Sequence, residues 1–152
     1  MAPITVTADV DRPADQVFAY ATDPSRFKEW QEGVVDGHMD SSTAVVPGTR
    51  CVTTRRIGGA TRPATSEVTH IDRPRTWGVR GIEGPIRATV DLTVEPLTQT
   101  SSRLTISVDF DGHGIGKVLV PLIVRRQAQK EMPGNVARLK QQVESEQRHP
   151  IV

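Results

Sequence analysis

The sequence has one cysteine, few aromatic residues, no strong excess of either charge and no long apolar run. The single cysteine, Cys51, excludes an intramolecular disulfide and a cysteine-rich zinc site, and it fits a reducing compartment. Its 19 basic residues are balanced by 18 acidic ones, whereas nucleic-acid-binding domains usually gather a basic excess on one face. The longest nearly unbroken apolar stretch, Val118 to Val124, is too short to cross a bilayer, and the N-terminus has no signal-peptide pattern. We therefore expect a cytoplasmic protein with no membrane span and no nucleic-acid partner.

Length and composition are those of one folded domain. The chain has 152 residues, of which 36% are hydrophobic and 24% are charged. A chain of this size can bury a core without disulfides or metals, and this composition is neither disordered nor fibrous. No repeat, low-complexity segment or linker divides it. We expect a single domain over residues 1–152.

The N-terminal residues predict one strand followed by two short helices. Residues 4–10 alternate between apolar and polar side chains, which is the pattern of a half-buried strand. Pro13 stands where a first helical residue tolerates a missing N–H, and Asp15 suits the positive end of an amphipathic helix. Asp23 and Pro24 provide the N-cap and first position of a second, shorter helix.

The remainder of the chain predicts six strands and one long helix. From residue 33 to 111 the hydrophobic period stays near two and is interrupted by turn residues. The clearest strands, 88–94 and 104–110, each have one apolar and one polar face. Apolar residues then recur every three or four positions in a helix that begins near Lys117 and continues to Ser145. We predict an α+β domain whose seven-stranded curved antiparallel sheet wraps around this C-terminal helix, because no other element is long enough to cover the sheet.

Several short motifs accompany this order of elements. They are VDRPADQVF at 10–18, TDPSRFKEW at 22–30, EVT at 67–69, DRP at 72–74 with Trp77, RRQA at 125–128 and VARLK at 136–140. Together with the order of elements, they resemble the polyketide cyclase/dehydrase-like branch of the START-like, or SRPBCC, superfamily over nearly the whole chain. The resemblance implies a helix-grip fold with a cavity between the curved sheet and the C-terminal helix. Such cavities take lipids, polyketides, steroids or other apolar molecules.

One feature departs from that family pattern. Pro133 and Gly134 interrupt a helix that is usually continuous in such relatives. An interior proline clashes with the preceding turn and removes a backbone hydrogen bond, so we expect a kink or a break at this point.

Nucleotide and metal sites are not indicated. The glycine-rich segment 112–116 has the setting of a phosphate-binding loop, between a strand and a helix. However, Lys117 stands where the dinucleotide pattern needs glycine, and Val118 stands where the Walker A pattern needs Ser or Thr. No pair of the four histidines has the spacing of metal ligands. We expect no cofactor and no metal.

Two residues have more than one interpretation. Cys51 is expected to be a small core residue, because the sequence assigns it no neighbouring base that would make it a nucleophile. His70, beside Asp72 at the end of a strand, would be a general base if it points inward and a plain strand-end residue if it does not.

The hairpin around Gly58 and Gly59 predicts which residues face a pocket. A two-residue turn pairs Ile57 with Ala60, Arg55 with Arg62, Thr53 with Ala64 and Cys51 with Ser66. The small residues of this face suit a cavity wall, which would place Arg55 and Arg62 beside the pocket, where two opposed cations favour an anion or carboxylate between them. Alternatively, both arginines extend into water at the hairpin tip. Pro63 also allows a different register.

The C-terminal helix presents a similar choice. Extending the stripe from Leu119 and Leu122 by 3.6 residues per turn places Arg126 and Gln129 on the apolar face before Met132. Since an unpaired buried guanidinium is unfavourable, Arg126 either reaches solvent, pairs with an acid or meets the polar end of a ligand.

These observations predict a protein that binds a small, largely apolar, lipid- or polyketide-like molecule. The predicted ligand-binding residues are Trp30, Met39, Arg55, Ser66, Val68, Trp77, Val79, Val90, Ile106, Val108, Phe110, Leu119, Ile123 and Arg126. The resemblance implies an alternative, a polyketide cyclase/dehydratase acting on a poly-carbonyl substrate in the same cavity. That reaction needs an acid or base aimed into the cavity, and no carboxylate or histidine has a secure inward position, so no catalytic residue is assigned. A protein-interaction module is disfavoured, because the outer sheet face shows no apolar patch.

Overall fold

The computed structural model describes residues 2–41, 43–57 and 59–146. The strands are β1 (Ile4–Val10), β2 (Val34–Asp40), β3 (Arg50–Ile57), β4 (Ala60–Asp72), β5 (Thr76–Gly81), β6 (Ile86–Pro96) and β7 (Ser102–Gly112). The helical elements are α1 (Ala14–Ala21), a 3₁₀ helix (Pro24–Glu29), α2 (Gly116–Leu119), a π turn (Val120–Val124) and α3 (Arg125–Ser145).

The strands form one antiparallel sheet in the order β1-β7-β6-β5-β4-β3-β2. The six strands predicted between residues 33 and 111 all form, and β1 has the predicted bounds. In the β6–β7 ladder, Val90 pairs with Val108 and Leu92 pairs with Ile106. Paired residues share a face of the sheet, so the two apolar alternations coincide on its concave side.

The core lies between the concave face of the sheet and the helices. One cluster of buried side chains joins Phe18 of α1, Trp77, Leu92 and Leu104 of the sheet, and Leu139 of α3. Burying each large apolar side chain contributes about 1.5–3 kcal/mol relative to exposure. The predicted α+β helix-grip architecture, a curved seven-stranded sheet with a long C-terminal helix, is confirmed.

The two short helices match the prediction only roughly. Pro13 is the N-cap of α1 and not its first residue. The second helix is of the 3₁₀ type, and Asp23 caps it by accepting a hydrogen bond from the backbone N–H of Ser25 at 3.0 Å.

A π turn changes which side of the C-terminal helix faces the sheet. The backbone N–H of Arg125 donates to the carbonyl of Val120, five residues earlier, and both residues are buried. The one additional residue rotates the following face by about 100° relative to an uninterrupted α-helix. The stripe predicted through Leu122 and Arg126 is therefore wrong, because both residues are exposed.

The helix continues through Pro133, so of the predicted kink or break, the break does not occur. Pro133 and Gln129 are both exposed, and the carbonyl of Gln129, which the proline leaves without a donor, is on the side of the helix that water can reach. Within the described residues, no helix combines the length and apolar character needed to cross a bilayer.

Candidate functional site

Most of the predicted ligand-binding residues lie together on the concave side of the sheet. Trp30, Val68, Trp77, Val79, Ile106 and Val108 are buried in the core cluster. Met39, Val90 and Phe110 are partly buried and pack against that cluster. Ser66 is half-buried, and its hydroxyl donates to the Cys51 carbonyl at 3.4 Å. The sheet therefore brings these side chains onto one continuous apolar wall.

The predicted register of the β3–β4 hairpin is confirmed. Arg55 pairs with Arg62, Thr53 pairs with Ala64 and Cys51 pairs with Ser66. Cys51 and Thr53 are buried and Arg55 is half-buried, whereas Arg56 and Arg62 are exposed. Arg55 therefore faces inward, and Arg62 extends into water instead of flanking a pocket.

Arg55 is an inward-facing cation with one weak hydrogen bond and no ion pair among the described residues. Its Nη2 donates to the side-chain oxygen of Gln31 at 3.4 Å. Among the described residues this is the one hydrogen-bond partner found for Arg55, although a guanidinium carries five N–H donors. Burial lowers the pKa of Arg55, and the charge of Glu131 acts in the opposite direction. Glu131 is half-buried on α3, where its Oε1 accepts a hydrogen bond from Nε2 of Gln127 at 2.5 Å.

Cys51 is a core residue. It is buried, and burial raises the pKa of its thiol to about 11, although contacts with Ser66 and Arg55 oppose that rise. A thiol with such a pKa stays protonated near neutral pH, and the thiolate is the nucleophilic form. The interpretation as a small buried residue is confirmed.

His70 faces outward. Its Nε2 lies 2.8 Å from Oδ1 of Asp91 on β6, and both side chains are well exposed. The imidazole crosses over Gly78 of the intervening strand, where a Cβ would stand only 2.3 Å from Nε2. Because the ring lies on the outer face, it does not serve as a general base on the concave side.

The three ligand-binding residues predicted on the C-terminal helix are not all buried. Leu119 is half-buried, whereas Ile123 and Arg126 are exposed. The inward-facing arginine is Arg125, whose Nη1 donates to Oδ1 of Asp109 at 2.9 Å and whose Nη2 donates to the carbonyl of Ala2. The prediction for Ile123 and Arg126 failed because the π turn displaces the buried face by one residue.

Gln31 and Glu131 were missed in the sequence. Gln31 belongs to the irregular segment between the 3₁₀ helix and β2, where no periodicity assigns a direction. Glu131 directly precedes the buried Met132. Its place beside the apolar stripe of the helix is the one sequence feature that could have indicated that Glu131 is half-buried.

Two surface cavities lie outside the region between sheet and α3. One, of about 230 Å³, is lined by Ala19, Thr22, Asp23, Pro24, Met39, Val45, Ile71, Arg73 and Trp77. The other, of about 350 Å³, is lined by Pro3, Thr89, Asp91, Ser107, Asp109, Phe110 and Asp111. No residue of α3 lines either one. A cavity between the sheet and α3 stays a prediction.

Comparison with solved structures gives the same fold at low sequence identity. The Zhui aromatase/cyclase from Streptomyces sp. R1128 superposes with a TM-score of 0.76 at 13% identity, covering 93% of this chain and 93% of that one. A START superfamily protein from Mycobacterium smegmatis gives a TM-score of 0.72 at 14% identity, covering 95% and 98%. The di-domain ARO/CYC BexL from the BE-7585A biosynthetic pathway gives 0.74 at 16% identity, with 95% of this chain covered. The chain spans about half of BexL, 47% of its length. At these identities the likeness concerns the fold alone.

A comparison with curated proteins gives no match. Residues 1–144, by contrast, match the family described as polyketide cyclase / dehydrase and lipid transport. That match spans every strand and nearly all of α3. With its START-like fold, the chain therefore belongs to the polyketide cyclase / dehydrase and lipid transport family.

Proposed function

We propose that the protein binds a small, largely apolar molecule, lipid- or polyketide-like, between the concave face of the sheet and α3. The observation that carries this proposal is Arg55, an inward-facing cation on a wall of small and apolar residues, with Gln31 as its one partner among the described residues. Ligand pockets typically combine an apolar lining with a few polar groups that fix the orientation of the ligand. Arg55 is suited to a carboxylate or carbonyl oxygen, because its planar guanidinium offers paired donors.

Incomplete packing at one part of the wall supports the same proposal. Ala88, Val90 and Phe110 are only partly buried, although they share the concave face with fully buried residues such as Leu92 and Ile106. A ligand that covered them would contribute roughly 25 cal/mol for each Å² of apolar surface removed from water.

Two buried indole N–H groups are further hydrogen-bond donors that a ligand could use. The Nε1 atoms of Trp30 and Trp77 are buried and have no hydrogen-bond partner among the described residues. A buried donor without an acceptor is unfavourable by about 1–3 kcal/mol. An oxygen atom of a ligand near either ring would satisfy it.

A large side chain introduced on the concave face, where the ligand would bind, tests this proposal. Val90→Trp places a large ring on the concave face, and Thr93→Trp places the same ring on the exposed outer face of the same strand. Native mass spectrometry of the protein purified from its own host measures the bound small molecule. We expect Val90→Trp to lose that molecule while a cooperative unfolding transition persists, and Thr93→Trp to keep it. If Val90→Trp unfolds the protein, the wall is a solid core and the proposal fails.

The single cysteine, which can form no intramolecular disulfide, supports a cytoplasmic protein, and the balanced charge supports the absence of a nucleic-acid partner. Cross-linking to nucleic acid in cell extract, with no product expected, tests the second point.

An enzymatic function is the second candidate, because Glu131 adds a carboxylate whose charge acts on Arg55. In a cyclisation, Arg55 would polarise one carbonyl oxygen while Glu131 removed a proton from a carbon between two other carbonyls. The resulting enolate carbon would attack the polarised carbonyl, the new alkoxide would take up a proton, and loss of water would complete the dehydration.

Turnover of a poly-β-ketone mimic distinguishes the two functions. A rate above background that collapses in both Arg55→Ala and Glu131→Gln would establish the enzyme. The exposed Arg126→Ala serves as the control and should keep the wild-type rate. Tight binding of the mimic without turnover would support the binding protein.

A further inference from the structure

An exposed apolar patch lies on the helical segment that follows the sheet. It consists of Ile115, Val118, Leu122 and Ile123, whose exposed fractions are 67%, 57%, 62% and 58%. The other large hydrophobic side chains found exposed among the described residues are Val35, Val46, Ile86 and Leu97. Half of these exposed side chains therefore fall within nine consecutive residues, 115–123. Scattered exposed apolar residues are normal, whereas such a concentration indicates an interaction surface.

The apolar patch lies on the side of this helical segment that faces away from the core. Val120 and Arg125 face the sheet. Val118 and Leu122 are one turn apart on the same side of the helix, and both are exposed, so the apolar patch and the buried face are on different sides of the segment. The patch is thus a consistent face of the helix and not a frayed end.

The chain segment that contains the apolar patch has charged side chains of one sign only. Between Asp111 and Glu131 the sequence contains the cations Lys117, Arg125, Arg126 and Lys130 and no acidic residue. Arg125 is paired with Asp109. Lys117 and Arg126 are exposed; Lys117 lies between Ile115 and Val118 within the patch segment, and Arg126 follows Ile123 by three residues. Apolar side chains accompanied by cations are complementary to a partner that has an apolar layer with negatively charged groups at its surface.

We propose that the apolar patch docks onto an anionic lipid bilayer. The segment 116–124 is about 13 Å long at 1.5 Å per residue. It would lie in the plane of the membrane interface, with Val118, Leu122 and Ile123 among the acyl chains and Lys117 and Arg126 on lipid phosphates. A second copy of the chain fits less well, because two patches face to face would bring like charges together. This inference goes beyond the proposed function and does not require that any ligand is bound.

Vesicle co-sedimentation with substitutions in the patch tests the proposal. The vesicles contain phosphatidylcholine with roughly 30% phosphatidylglycerol, or phosphatidylcholine alone. Leu122→Asn/Ile123→Asn is the patch variant, and Val46→Asn/Leu97→Asn removes two exposed apolar side chains elsewhere. We expect wild type to bind the anionic vesicles, the patch variant to bind about tenfold less, and the control to change by less than about twofold.

A second pair of variants tests the cations. Lys117→Gln/Arg126→Gln should weaken binding to anionic vesicles by about tenfold, because each surface cation contributes separately to the attraction. Lys28→Gln/Arg80→Gln removes the same charge from exposed positions elsewhere and should have little effect. Circular dichroism establishes that each variant is folded.

Three outcomes would overturn the proposal. The first is that wild type binds neither vesicle above background. The second is that the patch variants and their controls lose binding equally. The third is that sedimentation velocity shows a wild-type dimer that Leu122→Asn/Ile123→Asn dissociates, because the patch would then be an interface between copies of this chain.

Discussion

The guanidinium of Arg55 on β3 lies 3.4 Å from Oε1 of Gln31, in the segment that connects the 3₁₀ helix to β2. This contact links the concave face of the sheet to the layer that covers it. It is long for a hydrogen bond, and no other partner of the Arg55 guanidinium is found in the described part of the chain, so its remaining donors could bind an oxygen of a ligand.

Removing this cation should leave the ligand-free protein at least as stable as wild type. We expect Arg55→Met to change the free energy of unfolding by between zero and about +1 kcal/mol, because a partly desolvated charge with a weak partner is replaced by an apolar side chain of similar length. The neighbouring, exposed Arg56→Met should stay within about 0.5 kcal/mol of wild type. Urea denaturation measures both. A loss of more than about 2 kcal/mol in Arg55→Met would show that Arg55 is a structural residue.

Two consecutive arginines on the C-terminal helix should differ sharply. Arg125→Met removes the donors to Asp109 and to the Ala2 carbonyl and is expected to destabilise the protein by about 2–3 kcal/mol, since Arg125 is buried. Arg126→Met changes an exposed side chain and should alter stability by less than about 0.5 kcal/mol. Thermal or urea unfolding compares the two variants. Equal losses, or a larger loss in Arg126→Met, would contradict the register set by the π turn.

Gly78 should be needed for the contact between His70 and Asp91. A Cβ at this position would lie 2.3 Å from His70 Nε2 and 2.8 Å from Thr69 Oγ1, so the imidazole would have to move off Asp91. We expect Gly78→Ala to destabilise the protein by about 1 kcal/mol or more in the wild-type background and by less in a His70→Ala background. The double-mutant cycle measures the difference.

The matched control for that cycle is Gly59→Ala, because nothing lies within 4 Å of the Cβ position there. It should be neutral or slightly stabilising. A Gly78→Ala penalty that is the same with and without His70 would show that the imidazole is not the obstacle.

The Cys51 thiol should react slowly until the protein unfolds. Burial raises its pKa from 9.0 to about 11, so at pH 8 only about one thiol in a thousand is ionised, compared with roughly one in ten for a thiol whose pKa is not shifted. Labelling with a thiol reagent at pH 8, with and without denaturing urea, measures the contrast. Rapid labelling of the native protein would contradict the buried position.

The same shift predicts a pH dependence. The folded protein favours the protonated thiol, so its contribution to stability is fully present below pH 9 and is lost as the pH rises through about 11. Cys51→Ala should reduce this decline.

The sequence predicted well those elements in which a regular hydrophobic period determines the face to which each side chain points. Alternation along β6 and β7 identified the concave face, and the predicted turn of the β3–β4 hairpin gave the pairing that is observed, although it left open whether Arg55 and Arg62 face a pocket or water. Strand parity assigns both arginines to the same face of the sheet, but it does not distinguish the half-buried Arg55 from the exposed Arg62.

The errors arose where the period changes inside an element. The prediction assumed α-helical spacing, but residues Val120–Val124 form a π turn. As a result, Arg125 and not Arg126 is the buried arginine. Pro121 within this segment was the available indication of an irregular helix. In β4, a register shift between Val68 and His70 accompanies the outward histidine, and no sequence pattern indicated that shift.

Native mass spectrometry of three proteins purified from their own host decides whether Arg55 anchors a bound molecule. Wild type, Arg55→Met and Arg56→Met differ only at two neighbouring arginines, of which one faces inward and one is exposed. We expect wild type and Arg56→Met to carry a bound small molecule and Arg55→Met, although folded, to have lost it. A wild type without any bound molecule, or an equally occupied Arg55→Met, would contradict a ligand anchored at Arg55.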